Sequence, residues 1–223
     1  MLADLVAAGK LPPLDERLPQ DPLVVTPYSR PGEYGGTWRT TDLSDDLNVW
    51  RIIGGYAPLI RWNADASGLV PGTAKSWELS ADATTLTFHL RPGMRWSDGA
   101  PYTSADLVYW WDVVTDGRTH LTAPFWTFVD GKPMTVTAPD PHTVVFRFAG
   151  ANRFAPLYVA TTIDWQDQYN TPAHYLKRFD PRFESKYADF AEWDRRSGKN
   201  KSFTNPDRPT LRRLVSLAQR VGP

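Results

Sequence analysis

The chain has 223 residues, enough to bury a sizeable core in one or two domains. Its 25 basic and 25 acidic residues cancel, which argues against a broad nucleic-acid surface or a polybasic membrane patch. Cysteine is absent, which excludes disulfides, thiolate metal sites and cysteine nucleophiles. Twenty prolines imply many irregular connections between short elements, and ten tryptophans imply an aromatic core or an aromatic-lined pocket. No apolar run approaches about 20 residues, the length a membrane-spanning helix needs. Met1 to Gly9 lacks the basic start and long apolar run of a secretory leader, since Asp4 interrupts it.

Taken in chain order, Ala3 to Ala8 predicts two turns of helix closed by Gly9. Leu11 to Pro31 carries Pro12, Pro13, Pro19, Pro22, Pro27 and Pro31 and reads as an extended arm. Tyr34 to Arg39 reads as a strand, and Leu47 to Ile53 as a helix or turn broken by Gly54-Gly55. Trp77 and Leu79 alternate with polar neighbours, Ser80 to Ala83 supplies turn chemistry, and Leu86, Phe88 and Leu90 alternate again. That spacing predicts a hairpin. Arg91-Pro92-Gly93 ends its second strand and Ser97-Asp98-Gly99 makes another turn.

Thr103, with Asp106 three residues on, has capping-box spacing and predicts a helix start. Leu107, Trp110, Trp111 and Val114 then share one apolar face, and Asp116-Gly117 ends the helix. Met134 to Thr137 and Thr143 to Phe148 predict a second hairpin about Pro139-Asp140-Pro141, with Val144, Phe146 and Phe148 on one face. Both hairpins are expected to join one small sheet covered by the Trp-rich helix. Arg182 to Asp194 reads as a helix, Ser197 to Arg208 as a polar loop, and Leu211 to Val221 has mixed helical and strand character.

Reactive chemistry finds little footing. His89, His120, His142 and His174 do not pair at metal-ligand spacing, and no HExxH occurs. There is no GxSxG elbow and no GxxxxGK[ST] loop. Asp42, Asp45 and Asp46 cluster like part of a calcium loop but lack its glycine and closing glutamate, so they read as helix-capping acids. Asp98 and Asp106 have the chemistry of a general acid/base pair, yet turn and cap account for both. Trp77, Trp96, Trp110 and Trp111 fall on or beside apolar faces and read as core. Trp38, Trp50, Tyr56, Trp62, Trp126 and Trp165 lie nearer loop ends, where an aromatic plate stacks on a ligand or lines a pocket.

The stretch Pro71 to Val108 resembles the family 5 extracellular solute-binding proteins of ABC transporters, the oligopeptide- and dipeptide-binding class. That family reads P-x-L-A-x-S-W, then D-g-x-t-y-t-F-x-L-R-x-G, then F-x-D-G-x-p-l-t-A-x-D-V. The counterparts are Pro71, Ala74, Ser76, Trp77, Asp82, Thr87, Phe88, Leu90, Arg91, Gly93, Trp96, Asp98, Gly99, Pro101, Thr103, Ala105, Asp106 and Val108, with Trp96 in place of the commoner Phe. Tyr34 to Arg39 is similar to the family's first core strand, and Tyr56 to Ile60 to its Y-E-P-L segment, with Ala57 replacing the acid. Pro172 to Lys177 resembles its P-x-H-Y-L-K, and Asn205 to Leu211 resembles a tract of one longer branch.

The resemblance implies a mixed α/β fold of the type II periplasmic-binding-protein kind, with this chain supplying the first lobe and its small β-hairpin subdomain. Expected boundaries are 1–40 for the arm and first core strand, 41–170 for the hairpin and helix subdomain, and 171–223 for a return segment cut before the second lobe. The family members are longer, so the chain reads as truncated at both ends, with Met1 an internal methionine or a chosen boundary. The implied function is peptide capture outside the cytoplasmic membrane, in the periplasm or at the cell surface, and delivery to an ABC permease. Oligosaccharide binding within the same family is one alternative, and a secreted hydrolase acting on peptide or carbohydrate is another.

By the resemblance, the loop after the first strand, with Tyr34, Gly35, Gly36 and Trp38, and the Tyr56 region approach the ligand, the glycines letting backbone come close, and Trp126 and Trp165 join them as candidate contacts from their places near loop ends. No catalytic residue, metal, cofactor or nucleic acid is expected, the protein is expected to be a monomer, and this chain alone is expected to bind ligand weakly or not at all.

Overall fold

A computed structural model describes residues 2–27, 29–32, 36–37, 57–116, 123–161, 169–180 and 182–183. The alternating segments pair as their pattern predicts. β3 (Ala74–Leu79) and β4 (Thr85–Leu90) form the first hairpin. β7 (Thr135–Asp140) and β8 (Thr143–Arg147) form the second. The two join through β4 and β8 into one antiparallel sheet of order β3-β4-β8-β7. In the central pairing Leu86 faces Phe146 and Phe88 faces Val144, so one surface of the sheet is continuous hydrocarbon and aromatic ring. Period-two alternation puts that whole set on one side.

Helix α3 (Ser104–Thr115) lies against β7 and β8 and covers that surface. Leu107, Trp110, Trp111 and Val114 are all buried, as their spacing predicts, and Tyr109 and Val113 are buried as well. The Phe88 and Phe146 rings meet edge-on at 5.3 Å, and Trp110 lies 6.3 Å from Phe146. Trp96 is buried as expected, whereas Trp77 is only half-buried and packs at the core's rim. Two further two-stranded ribbons flank the sheet: β1 (Ile60–Trp62) with β2 (Leu69–Pro71), and β5 (Phe128–Val129) with β6 (Lys132–Pro133). Asp130-Gly131 turns the second ribbon with both residues at positive φ, 50° and 73°, the backbone a tight two-residue hairpin requires.

The amino-terminal helix α1 spans Leu2–Ala7, with Gly9 just beyond it at φ 66°. The arm that follows is not wholly extended. Leu14–Arg17 makes one helical turn, α2, because Asp15 and Glu16 favour a first turn started after Pro13. The arm then crosses the sheet's end, where the Gln20 N–H donates to the Pro92 carbonyl at 3.0 Å. The Arg91 guanidinium donates to the Asp21 carbonyl at 2.7 Å, and Lys75 pairs with the Asp21 side chain at 2.8 Å. Two short helices complete the described chain: α4 (Ala155–Ala160), packed against β1, and α5 (Ala173–Leu176), packed against α3. Of the expected strand over Tyr34 to Arg39 only Gly36 and Thr37 are among the described residues, and the segment Leu47 to Ile53 and everything beyond residue 183 lie outside them. No helix among the described residues is long and apolar enough to cross a membrane.

Candidate functional site

The signature stretch builds a scaffold. In the β3–β4 turn the Asp82 carboxylate accepts from the Ser80 hydroxyl at 2.6 Å and from the Thr84 N–H at 3.1 Å. Those bonds, the Ser80 one foremost, hold its carboxyl below the usual range. Asp98 uses one oxygen to accept the Ala100 N–H at 3.0 Å, closing the turn that Gly99 completes at φ 87°. Its other oxygen meets His174 Nε2 at 2.7 Å. The His174 bond is the main reason its carboxyl too is held low. Asp106 takes three N–H groups. Thr103, at the start of its own helix, donates at 2.9 Å and closes the capping box. Trp96 Nε1 donates at 3.2 Å, and the Ala173 N–H at 2.9 Å. Burial still pushes the Asp106 carboxyl up, against the pull of those donors.

Asp98 and Asp106 therefore draw the P-x-H-Y-L-K-like tract onto the signature stretch, each through a different residue of α5. A second tie follows at once. Asp180 is buried and accepts from the Tyr109 hydroxyl at 3.0 Å and from Arg182 Nε at 3.0 Å. Burial opposes the charge on Asp180, but the Arg182 guanidinium outweighs it and the carboxyl sits below its ordinary value. Arg182 also reaches the Asp112 carbonyl at 3.2 Å, so the return segment is fastened along one side of α3. Asn170 adds a third link, donating to the Ala57 carbonyl at 3.0 Å and accepting from the Tyr102 hydroxyl at 2.9 Å.

None of these acids stands ready for proton transfer, since turns, a cap and an ion pair occupy them. Among the described residues no cluster of His, Asp or Glu is arranged to hold a metal ion. His89 lies on the sheet near Thr143, 3.5 Å away, and the His142 N–H donates to Asp140 at 2.8 Å. His120 lies outside the described residues.

Of the residues that sequence assigns to the ligand, Tyr34, Gly35, Trp38, Tyr56 and Trp165 lie outside the described residues. Gly36 has φ 88°, a conformation side chains rarely adopt, and nothing lies within 4 Å of where a Cβ would stand. Trp126 is only 3% exposed. It sits in the 3-10 turn Phe125–Thr127, and its ring packs on Phe146, Phe148 and Tyr169 at 6.3–6.4 Å. Its ring is a wall of the core and offers no open face for stacking.

The exposed aromatics lie next door. On α4, Ala155, Pro156, Val159 and Ala160 are buried, yet the opposite side is Phe154, Leu157, Tyr158 and then Thr161. Phe154 is 64% exposed. Phe125, 69% exposed, meets the Tyr158 ring edge-on at 5.0 Å with the planes 81° apart. Trp62 on β1, 39% exposed, donates Nε1 to the Thr161 hydroxyl at 3.4 Å. A helix this short shows no readable period, so only the position of Trp62 near a loop end was legible beforehand.

The profile of the bacterial extracellular solute-binding proteins, family 5 Middle, matches residues 68–207. A curated relative, the periplasmic alpha-galactoside-binding protein of Rhizobium meliloti (strain 1021), is 30% identical over 203 residues, covering 80% of this chain and 28% of that protein. Among solved structures, an oligopeptide-binding protein OppA superposes with a TM-score of 0.73 at 34% identity, covering 97% of this chain and 32% of that one. The periplasmic binding protein MelB in complex with stachyose, from Agrobacterium fabrum C58, superposes with a TM-score of 0.57 at 30% identity, covering 86% of this chain and 32% of that one. The chain thus spans roughly a third of the length of the proteins it matches. With the signature stretch folded as the scaffold just described, the matched region places this chain among the bacterial extracellular solute-binding proteins of family 5, with the mixed α/β fold of type II periplasmic binding proteins.

Proposed function

We propose that this chain belongs to the solute-capturing component of an ABC importer, acting outside the cytoplasmic membrane as a monomer that delivers its ligand to a permease. It binds and does not turn over: Asp98 and Asp106 are engaged in a turn and a cap, which supports that reading. Closure of two lobes on the ligand is a population shift, because only the shut form gains contacts from both sides. Tyr34, Gly35, Gly36, Trp38, Tyr56 and Trp165 remain the candidate ligand contacts on this lobe.

The ligand we put first is an oligosaccharide. The observation that carries this is the similarity to the alpha-galactoside-binding protein, which extends over 80% of this chain. The MelB–stachyose superposition supports it. Oligopeptide is the second reading, favoured by the OppA superposition over 97% of the chain. Calorimetric titration of the 223-residue chain with raffinose, and in parallel with a tripeptide and a pentapeptide, tests both. Weak, millimolar heats with raffinose alone support the first reading. Heats with peptides alone move the assignment to the second, and silence with all three counts against solute binding by this lobe.

A further inference from the structure

Ala57, Pro58 and Leu59 enter the packed body with every carbonyl taken. The Leu59 carbonyl accepts from the Gly72 N–H at 3.0 Å and the Ala74 N–H at 3.2 Å, and the Pro58 carbonyl from the Thr73 N–H at 2.9 Å. Those donors are backbone groups at the bend between β2 and β3. At Ala57 the backbone pairing gives way to a side chain: Asn170 Nδ2 donates to its carbonyl at 3.0 Å. The oxygen of the same carboxamide accepts from the Tyr102 hydroxyl at 2.9 Å. A backbone carbonyl can only accept, which fixes which way round the carboxamide sits. Tyr102 is buried, and burial, with Asp106 nearby, pushes its hydroxyl well above the usual phenol range, so it stays a donor.

Asn170 does not need these bonds to keep its own place. Tyr169 before it is buried, with its ring 5.0 Å from that of Trp110, and Thr171 after it is buried too. The Ala173 N–H is bound to Asp106. Core packing therefore sets the Asn170 backbone, and only its side chain reaches across. Ala57 directly follows Tyr56, and Asn170 lies five residues after Trp165, both of them candidate ligand contacts. Asn170 also stands where the hairpin subdomain is expected to give way to the return segment.

We infer that Asn170 is a positioning residue for ligand capture, its carboxamide tying the segment that follows Tyr56 to the start of the return segment so that both meet a ligand at one fixed spacing. This role rests on the solute-capture reading above and adds to it a residue that acts without touching the solute. A directional tie suits the task, because apolar contact lets two segments slide whereas a donor and an acceptor 3.0 Å apart set one distance. A segment already held in place spares the binding energy otherwise spent on ordering it. Asparagine supplies both a donor and an acceptor here; an ionised aspartate offers acceptors only, and alanine neither.

The test is calorimetric titration of the full chain with raffinose, a tripeptide and a pentapeptide, comparing the native chain with Asn170→Asp and Asn170→Ala. Asn170→Asp keeps an acceptor for Tyr102 and loses the donor to Ala57, and Asn170→Ala loses both. Amide resonances of β4 and β8 report whether the sheet is undisturbed. Affinity for the solute that the native chain binds is expected to fall about fivefold in both variants, the size of one net hydrogen bond, with the sheet resonances unmoved. Unchanged affinity in both overturns the positioning role and leaves solute capture in place. A loss in only one of them overturns the tie as well, since both lack the donor. A loss accompanied by displaced β4 and β8 resonances marks a structural residue and overturns the inference. A native chain silent toward all three solutes overturns solute capture by this lobe, and the positioning role falls with it.

Discussion

The Asp106 carboxylate receives N–H groups from Thr103, Trp96 and Ala173, three separate parts of the chain. Removing it leaves those donors buried without acceptors, and each such group is costly. Asp106→Ala should therefore lower stability by about 3 kcal/mol or more, read from the urea midpoint. Asp106→Asn keeps one acceptor oxygen for Thr103 and Trp96 but turns an amide N–H2 toward Ala173, so its cost should be smaller and should concentrate at α5. Backbone protection of α5 by hydrogen exchange distinguishes the two. Glycines give a contrasting pair. A Cβ on Gly72 would lie 2.1 Å from the Pro58 carbonyl oxygen, so Gly72→Ala must move backbone and should cost about 2–3 kcal/mol. At Gly131 the space is open and only the positive φ of 73° is strained, so Gly131→Ala should cost about 1 kcal/mol.

At the scale of elements, the return segment is held to α3 by a clasp whose strength depends on charge. Asp180 has its carboxyl lowered below the ordinary 3.8 by Arg182 against the opposition of burial. A lowered acid contributes stability that is fully present above its unfolded value and is lost as pH falls through the folded one. Asp180→Asn should thus cost about 2 kcal/mol at pH 7, and the gap from the native chain should close as pH drops below 3.8. Urea midpoints at pH 7 and pH 3 check it. Asp106, raised by burial, titrates with the opposite sign and favours the folded form at low pH, so a gap closing on acidification identifies Asp180 as its source.

The sheet and α3 were legible in the sequence because Leu86, Phe88, Phe146 and Trp110 each follow a clean period. The capping box was legible because it is local, three residues long. The clasp was not, since Tyr109 and Asp180 lie 71 positions apart and neither carries a pattern. Trp126 misled for a related reason. A tryptophan beside a loop end has no periodic neighbours to mark which way it turns, and tertiary packing against Phe146 and Tyr169 decided it.

For the whole molecule, the buried apolar side chains among the described residues run from Leu59 to Leu176, and the described part of the amino-terminal arm contributes none of them. It is attached by polar contacts converging on Gln20 and Asp21, while Leu14, Leu18 and Val24 stay exposed. Arg91 is the critical partner, because it is 7% exposed and its Nε has no acceptor among the described residues even with the arm in place. Stripping the Asp21 carbonyl from it would leave a buried guanidinium still less satisfied, and bonds to charged groups are worth about 1.5–3 kcal/mol. Shortening the chain should therefore act in a step. Deleting residues 1–18 removes helices α1 and α2 but keeps Gln20 and Asp21, and should shift stability by less than about 1 kcal/mol. Extending the deletion through Asp21 should cost about 2 kcal/mol more. Both shortened chains should still unfold in one cooperative transition, since the sheet, α3 and the return segment remain. A gradual loss of stability across the two deletions would mean that the arm is held along its length by apolar packing instead of at one polar point.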